Sequence, residues 1–161
     1  MFKLIADSKI TSGFGTRIDP LNIKHEQFHT GVDLVSKDGL VYNTIKGNVR
    51  RARFGEFGEG NYIQVKTVIQ YITFYLNYFH NEKNLVYEGN EVETNQIIAR
   101  QGKTGNSTGE HIHHEIFTMN YQIQNIGDNN FKDDLLLNVE HETIGPRMFF
   151  NPLDFYNFIK E

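Results

Sequence analysis

Apolar and polar residues alternate along the middle of the chain. In the stretch Asn61–Phe79 (NYIQVKTVIQYITFYLNYF), Ile63 and Val65 are flanked by polar or aromatic residues, and Ile72 and Phe74 repeat the pattern. A period of two predicts β-strands with one buried face. Turn signals rich in Gly, Asn and Asp separate the short apolar segments, as in an antiparallel sandwich, barrel or folded sheet. The chain is therefore predicted to be mainly β, with a compact antiparallel sheet.

One short helix is predicted, at the C-terminal end (NPLDFYNFIKE). Asn151 suits the N-cap, Pro152 suits the first turn, and Asp154 complements the positive end of the helix dipole. Leu153 and Tyr156 can then pack against the sheet. This segment is the only helix that we expect.

The pattern loosens between Met119 and Arg147. We expect a hairpin or a long loop there, as an insertion at about residues 120–147. No internal repeat, low-complexity tract or linker marks a boundary. Residues 1–161 are therefore predicted to form one domain that contains this insertion.

Composition narrows the possible functions. The apolar fraction of 39% and the charged fraction of 22% are typical of a soluble globular protein. A net charge of −4 argues against nucleic acid as a partner, and the one basic run, VRRAR, alternates like a strand with a basic outer edge. The absence of cysteine excludes disulfides, thiolate metal sites and a cysteine nucleophile. Any metal ion must be held by His, Asp or Glu.

The start of the chain, MFKLIADSKITSGFG, lacks the charged and apolar regions of a signal peptide. No apolar run approaches the length of about 18 residues that suggests a membrane span. We therefore expect no membrane span and no signal peptide. Either the protein reaches its site without the usual export signal, or the sequence is a mature or excised fragment.

Three of the seven histidines lie within GEHIHHEIF. If this segment is a strand, His111 and His113 face one side of the sheet, whereas Ile112 and His114 face the other. An H-x-H pair can bind a metal ion. Taken alone, it is more often a pair of surface or hydrogen-bonded histidines.

Two further segments supply candidate ligands or catalytic groups. In HTGVDL, His29 and Asp33 lie in a stretch that is a poor helix, so an extended or turning segment is expected. Imidazole and carboxylate both bind Zn²⁺, but a hydrogen-bonded His–Asp pair is an equally simple interpretation. His80 ends the aromatic segment YLNYFH, where a histidine can be structural or catalytic.

Several short motifs occur in an order that resembles the M23 family of zinc metallopeptidases, the lysostaphin/LytM-type peptidoglycan endopeptidases. They are SGFGTR, HTGVD, GNVRRARFGEFGEGNYIQV, YFH, GNEVETNQIIARQGKTGNSTGEHIHHEI and NPLDF. The similarity covers Ile10 to Phe117 and returns at Asn151–Phe155. It implies a LytM/lysostaphin-like antiparallel sheet with zinc in a groove between loops.

The resemblance also implies roles for individual residues. His29, Asp33 and His113 match the family's zinc ligands, with one Zn²⁺ per chain. His80 and His111 match its two catalytic histidines.

Other positions near these motifs have more than one possible role or depart from the family pattern. Glu115 is in strand phase with His113, so it either orients a ligand histidine or is an exposed or salt-bridged carboxylate. His25 lies where some relatives have a tyrosine that helps to stabilise the oxyanion, so that role is either absent or altered here, and His25 is a candidate residue of the substrate groove or of the surroundings of the metal ligands. Glu110 stands where many relatives have proline, and His114 stands where an aromatic residue is usual. We expect His114 to be a packing or surface residue that can be replaced at little cost to activity.

The function implied by the resemblance is zinc-dependent hydrolysis of peptide bonds in peptidoglycan stem peptides or cross-bridges. The alternatives are a catalytically inactive M23-like binding or regulatory module and a structural component of a phage particle. The short chain favours a phage-encoded lytic enzyme, a monomer that acts at the bacterial cell wall, whether extracellular, virion-associated or released from the cytoplasm at lysis. Loops that would line the substrate groove are Asp19–Phe28, Phe54–Asn61, Gly102–Glu110 and, as a possible further wall, Gln122–Arg147.

Overall fold

The computed structural model describes residues 1–127 and 130–160. Within these ranges the strands are β1 (Ser8–Ser12), β2 (Gly15–Asp19), β3 (Asn22–His29), β4 (Gly31–Ser36), β5 (Leu40–Tyr42), β6 (Gly47–Gly55), β7 (Gly60–Ile69), β8 (Ile72–Asn81), β9 (Lys83–Asn84), β10 (Glu91–Val92), β11 (Ile97–Arg100), β12 (Ile112–Met119), β13 (His141–Ile144) and β14 (Arg147–Phe150). The helices are α1 (Lys3–Ala6), α2 (Asn120–Asn125), α3 (Asn130–Asn138) and α4 (Pro152–Phe158).

A large antiparallel sheet dominates the structure, in the order β1-β4-β12-β8-β7-β6-β10. One edge of β12 pairs with β8, and the other edge pairs first with β4 and then with β14, which also pairs with β13. Two smaller sheets, β5-β11-β9 and β2-β3, complete the fold. The mainly β fold with an antiparallel sheet is therefore confirmed, and β12 is an interior strand that is paired on both edges.

The alternation in β7 and β8 separates a core face from an outer face. Ile63, Val65 and Phe74 are completely buried, in agreement with the predicted period of two. Burial of each such side chain contributes about 1.5–3 kcal/mol to stability. On the outer face, however, Gln64 and Asn77 are also buried, although both are polar. The outer face is therefore not simply exposed to solvent, because it includes buried polar side chains.

The C-terminal helix forms as predicted. The side-chain oxygen of Asn151 accepts a hydrogen bond from the Leu153 backbone N–H at 3.1 Å, and Pro152 occupies the first turn. Phe155 and Tyr156 are buried against the sheet. Hydrophobic contact and capping therefore both fix this short helix.

The expectation that this is the only helix is wrong, because α1, α2 and α3 also form. In residues 120–147 the predicted hairpin exists as β13 and β14, but two helices precede it; residues 128 and 129 lie outside the described residues. In α3, Leu135 is buried whereas Leu137 is 82% exposed, so the Leu run has no clear helical periodicity. No helix in the described ranges is long and apolar enough to cross a membrane.

Candidate metal centre

Two strands that are consecutive in the sequence, β3 and β4, and one that is far along the chain, β12, bring three side chains of metal-binding type together. His29 ends β3 and Asp33 lies in β4, so this segment is extended, as expected. His113 lies on β12 directly opposite Asp33. The ring nitrogen His29 Nε2 lies 3.0 Å from Asp33 Oδ1 and 2.9 Å from His113 Nδ1. His113 Nδ1 and Asp33 Oδ1 are 2.9 Å apart, which closes the triangle.

This triangle fits a metal ion. A tetrahedral ion with ligands at about 2.0–2.2 Å holds its ligand atoms about 3.3–3.6 Å apart, so these atoms, which lie 2.9–3.0 Å apart, need to separate by only about half an ångström to bind one. Two imidazole nitrogens and one carboxylate oxygen form a usual ligand set for a divalent transition metal in a protein without thiolates. The three residues could therefore hold one metal ion.

Outer hydrogen bonds orient two of these ligands. His29 Nδ1 donates to the carbonyl of Gly13 at 2.5 Å, which leaves Nε2 with a free lone pair. Arg17 donates to Asp33 Oδ2 at 2.8 Å, which leaves Oδ1 facing the two histidines. Sequence reasoning assigned no role to Gly13 or Arg17, although both lie in SGFGTR, one of the motifs that carry the resemblance.

Glu115 holds the third ligand. Its Oε1 lies 3.1 Å from His113 Nε2 and also accepts a hydrogen bond from the Thr30 hydroxyl. Asn77 donates to Glu115 Oε2 at 2.8 Å. The Glu115 side chain is buried, so it is not an exposed carboxylate, but it does form an ion-pair contact with His113. His113 Nε2 carries the proton toward Glu115, so Nδ1 is available to a metal ion.

The electrostatics of the site favour a positive charge between these ligands. Burial raises the pKa of Asp33, but hydrogen bonds to His113 and His29 outweigh it and hold that pKa well below its usual range. Burial lowers the pKa of His113, but hydrogen bonds to Asp33 and Glu115 dominate and raise it to about 9. A metal cation would take the place of the proton that these groups otherwise share.

Two further histidines lie beside the triangle with similar anchors. His80 Nδ1 donates to the carbonyl of Thr104, and His111 Nδ1 donates to the carbonyl of Gly109, each at 2.9 Å. Their ring centres are 4.8 Å apart. In a neutral ring anchored this way, Nε2 carries a lone pair that can accept a proton. His111 Nε2 lies 3.7 Å from Asp33 Oδ1, within reach of the triangle.

His80 has an unusual backbone conformation. Its φ of +66° lies in the left-handed region, which is uncommon for a residue other than glycine. Its backbone N–H donates to the carbonyl of Glu59 at 2.9 Å, which holds this conformation in place. Burial lowers the pKa of the ring to about 4, so the ring is neutral at pH 7. Backbone strain of this kind clusters at functional sites.

A cavity of about 950 Å³ opens over these five residues. Three of the four predicted loops each contribute several residues to its wall, including Leu21, Phe57 and Asn106, and the fourth contributes Arg147. Phe57 is 90% exposed, so it presents an aromatic ring at the rim.

The possible fourth wall is present at one residue, and His25 lies outside the cavity. Of the described residues in 122–147, only Arg147 lines the cavity. His25 is exposed on β3 and is not part of the lining, so the structure does not bring it to the site.

His114 points away from the cavity, as the strand alternation predicts. It is completely buried, stacks on Tyr78 at 4.6 Å, and bonds through Nδ1 to the Asn77 carbonyl at 2.8 Å. Its Nε2 lies 2.5 Å from the Tyr156 hydroxyl. The packing interpretation is therefore confirmed and the surface interpretation is wrong. Its replacement is expected to cost stability.

The family profile that matches this chain, and the known proteins that are similar to it, agree with the geometry of the candidate metal centre. The profile of peptidase family M23 matches residues 27–125. The peptidoglycan DD-endopeptidase ShyB of Vibrio cholerae is 35% identical over 113 residues, which are 70% of this chain and 26% of ShyB. The chain thus spans about a quarter of that relative.

Two solved structures share the fold. The catalytic domain of the antimicrobial peptidase lysostaphin from Staphylococcus simulans has a TM-score of 0.63 and 27% identity, over 73% of this chain and 86% of that domain. A zinc-containing peptidase from Vibrio cholerae has a TM-score of 0.59 and 34% identity, over 69% of this chain and 33% of that one. Because the profile of this family matches more than half of the chain, the chain belongs to peptidase family M23.

Proposed function

We propose that this protein is a zinc-dependent endopeptidase that hydrolyses peptide bonds in bacterial peptidoglycan. The observation that carries the proposal is the arrangement of His80 and His111, each with its Nδ1 anchored on a carbonyl, beside a triangle of ligand atoms in an open cavity. Membership of family M23 supports it, as does the similarity to a peptidoglycan DD-endopeptidase and to a zinc-containing peptidase.

Zinc is the proposed ion, with one Zn²⁺ per chain held by His29, Asp33 and His113. Three protein ligands leave one tetrahedral position open, which is the arrangement of a catalytic site. Bound zinc would lower the pKa of a coordinated water and polarise the scissile carbonyl.

His80 and His111 are the proposed catalytic residues. In each ring Nδ1 is anchored on a backbone carbonyl, so Nε2 has a lone pair that can accept a proton from the attacking water. A protonated ring can then return the proton to the leaving amine or donate a hydrogen bond to the oxyanion. The two rings are close enough to serve the same substrate. In this proposal, Glu115 orients the metal ligand His113 and Arg17 orients Asp33. Neither residue accepts a proton from the substrate.

The peptide substrate is proposed to lie in the groove between the loops that carry Leu21 and Phe57. Residues 1–161 are proposed to form a single domain, because β1 near the start and β14 near the end join the same sheet. We propose a monomer that acts at the cell wall, and phage origin stays a prediction. An inactive module or a structural phage component is less well supported, because every ligand and both catalytic positions are present.

The proposal is tested by incubating the zinc-loaded protein with purified peptidoglycans that differ in their cross-links and identifying the products by mass spectrometry. New termini at one peptide bond are expected, lost with a chelator and restored by zinc. His113→Ala serves as the control for contaminating hydrolases. If the folded, zinc-loaded protein left every wall type intact, the proposal would be overturned.

A further inference from the structure

A line of polar side chains runs across the sheet behind the candidate metal ligand His113. Glu115, Asn77 and Gln64 lie directly opposite one another on β12, β8 and β7. Asn77 donates to Glu115 at 2.8 Å, and Gln64 donates to Asn77 at 2.9 Å. Arg50, at an irregularity in β6, donates to Gln64 at 2.9 Å. The four residues Arg50, Gln64, Asn77 and Glu115 form a continuous relay, which ends on the ring of His113.

The chemistry of the two ends fixes the direction of every bond in the relay. The Glu115 carboxylate only accepts, so Asn77 must present its NH₂ group there and its oxygen to Gln64. The Arg50 guanidinium only donates, so Gln64 must present its oxygen to Arg50 and its NH₂ group to Asn77. Both amides satisfy both requirements at once. The relay therefore has one orientation, and it keeps Glu115 as an acceptor for the proton on His113 Nε2.

Burial makes the relay costly unless every member has a partner. Asn77 is 3% exposed and Gln64 is 8% exposed, whereas Arg50 reaches solvent. Amides buried without hydrogen-bond partners destabilise a fold, and apolar side chains would pack this part of the sheet without that cost. Stability alone therefore does not explain why this line of polar side chains crosses the sheet and ends on a candidate metal ligand.

We propose that Asn77 and Gln64 are positioning residues for the metal centre. They hold the Glu115 carboxylate in the orientation that directs His113 Nε2 toward it and His113 Nδ1 toward the ion. This inference rests on the proposed function, because it takes His113 as a metal ligand. The effect weakens with distance along the relay, from Glu115 through Asn77 and Gln64 to Arg50.

The test measures zinc affinity in folded variants by competition with a chromophoric chelator. Loss of an outer partner of a metal ligand typically lowers affinity about 10–100-fold, and this range is expected for Glu115→Ala. About a tenfold loss, at the lower end of that range, is expected for Asn77→Ala. Smaller losses are expected for Gln64→Met, and the smallest for Arg50→Met.

Thr118→Val is the matched control. Thr118 lies on the same strand as Glu115, is completely buried, and donates to the Thr73 carbonyl at 2.7 Å, but it is outside the relay. Its replacement removes a buried hydrogen bond without touching the metal centre. Zinc affinity is expected to stay within about twofold of the wild type, whatever the loss of thermal stability.

A double variant separates positioning from general destabilisation. If Asn77 acts through Glu115, adding Asn77→Ala to Glu115→Ala produces no further loss of zinc affinity. Should Asn77→Ala fail to fold, Gln64→Met takes its place in the same cycle. Fully additive losses, or a loss in Asn77→Ala no larger than in Thr118→Val, would overturn the inference. A wild-type protein without zinc affinity, or unchanged affinity in His113→Ala, would instead contradict the proposed function.

Discussion

His113 and His114 are neighbours on β12, yet their surroundings give them opposite properties. His113 is 12% exposed in its side chain and His114 is completely buried, so burial favours a neutral ring in both. Hydrogen bonds to Asp33 and Glu115 nevertheless raise the pKa of His113 to about 9. His114 has no carboxylate among its hydrogen-bond partners, and burial lowers its pKa to about 4. The difference shows that the partners, rather than burial, decide which histidine can serve a cation site.

The same contrast extends over the two faces of the sheet. On the groove face, two of the three candidate ligands have charged partners, Arg17 for Asp33 and Glu115 for His113. On the core face, both hydrogen-bond partners of His114 are neutral, the Asn77 carbonyl and the Tyr156 hydroxyl, and Tyr156 in turn contacts Thr44 at 2.6 Å. One face is therefore organised to hold a charge, and the other is organised to pack a polar ring without one.

The largest effect is expected for His113→Ala. Loss of a proposed ligand should reduce zinc affinity and peptidoglycan cleavage by more than the about 10–100-fold typical of an outer-shell change. Circular dichroism should show a retained fold, since the core face is unchanged. Cleavage at the wild-type rate in this variant would remove the distinction between the two histidines.

His80→Ala separates ligand binding from proton transfer on the groove face. Cleavage should fall about 10²–10⁴-fold, the range typical of a lost general acid or base. Zinc affinity should change little, because His80 is outside the ligand triangle. Equal losses of affinity and cleavage would show that His80 acts on the metal centre itself.

On the core face, His114→Phe tests the packing role. Phenylalanine can stack on Tyr78 but leaves the Asn77 carbonyl without its donor, which should cost about 1–3 kcal/mol. For a chain of this size, each kcal/mol corresponds to roughly 2–4 °C in Tm, measurable by calorimetry. Specific activity per folded molecule should be unchanged. A variant with normal stability and no activity would contradict the assignment.

The smallest effect on the metal centre is expected for Tyr156→Phe. The change removes a hydroxyl that bonds to both His114 and Thr44, and the loss of two hydrogen bonds should cost about 1–3 kcal/mol of stability. Urea denaturation measures this loss. Zinc affinity should equal that of the wild type, and a tenfold decrease would show that the two faces are coupled.

Features with a local pattern could be predicted from the sequence, whereas features set by strand pairing could not. Alternation at Ile63 and Val65 predicts a buried face, and the spacing of His111 and His113 predicts a shared side. The roles of Asn77 and Gln64 depend on which residues the register places opposite them. The Leu-rich segment that forms α3 has no clear period, so its helix was not expected.

The most direct test of the contrast between His113 and His114 is the zinc content per chain, measured after dialysis by inductively coupled plasma mass spectrometry. Wild type and His114→Phe should each retain about one zinc ion per chain, the stoichiometry of a single mononuclear site, and His113→Ala should retain almost none. Equal zinc content in His113→Ala and His114→Phe would contradict the assignment of His113 as a ligand.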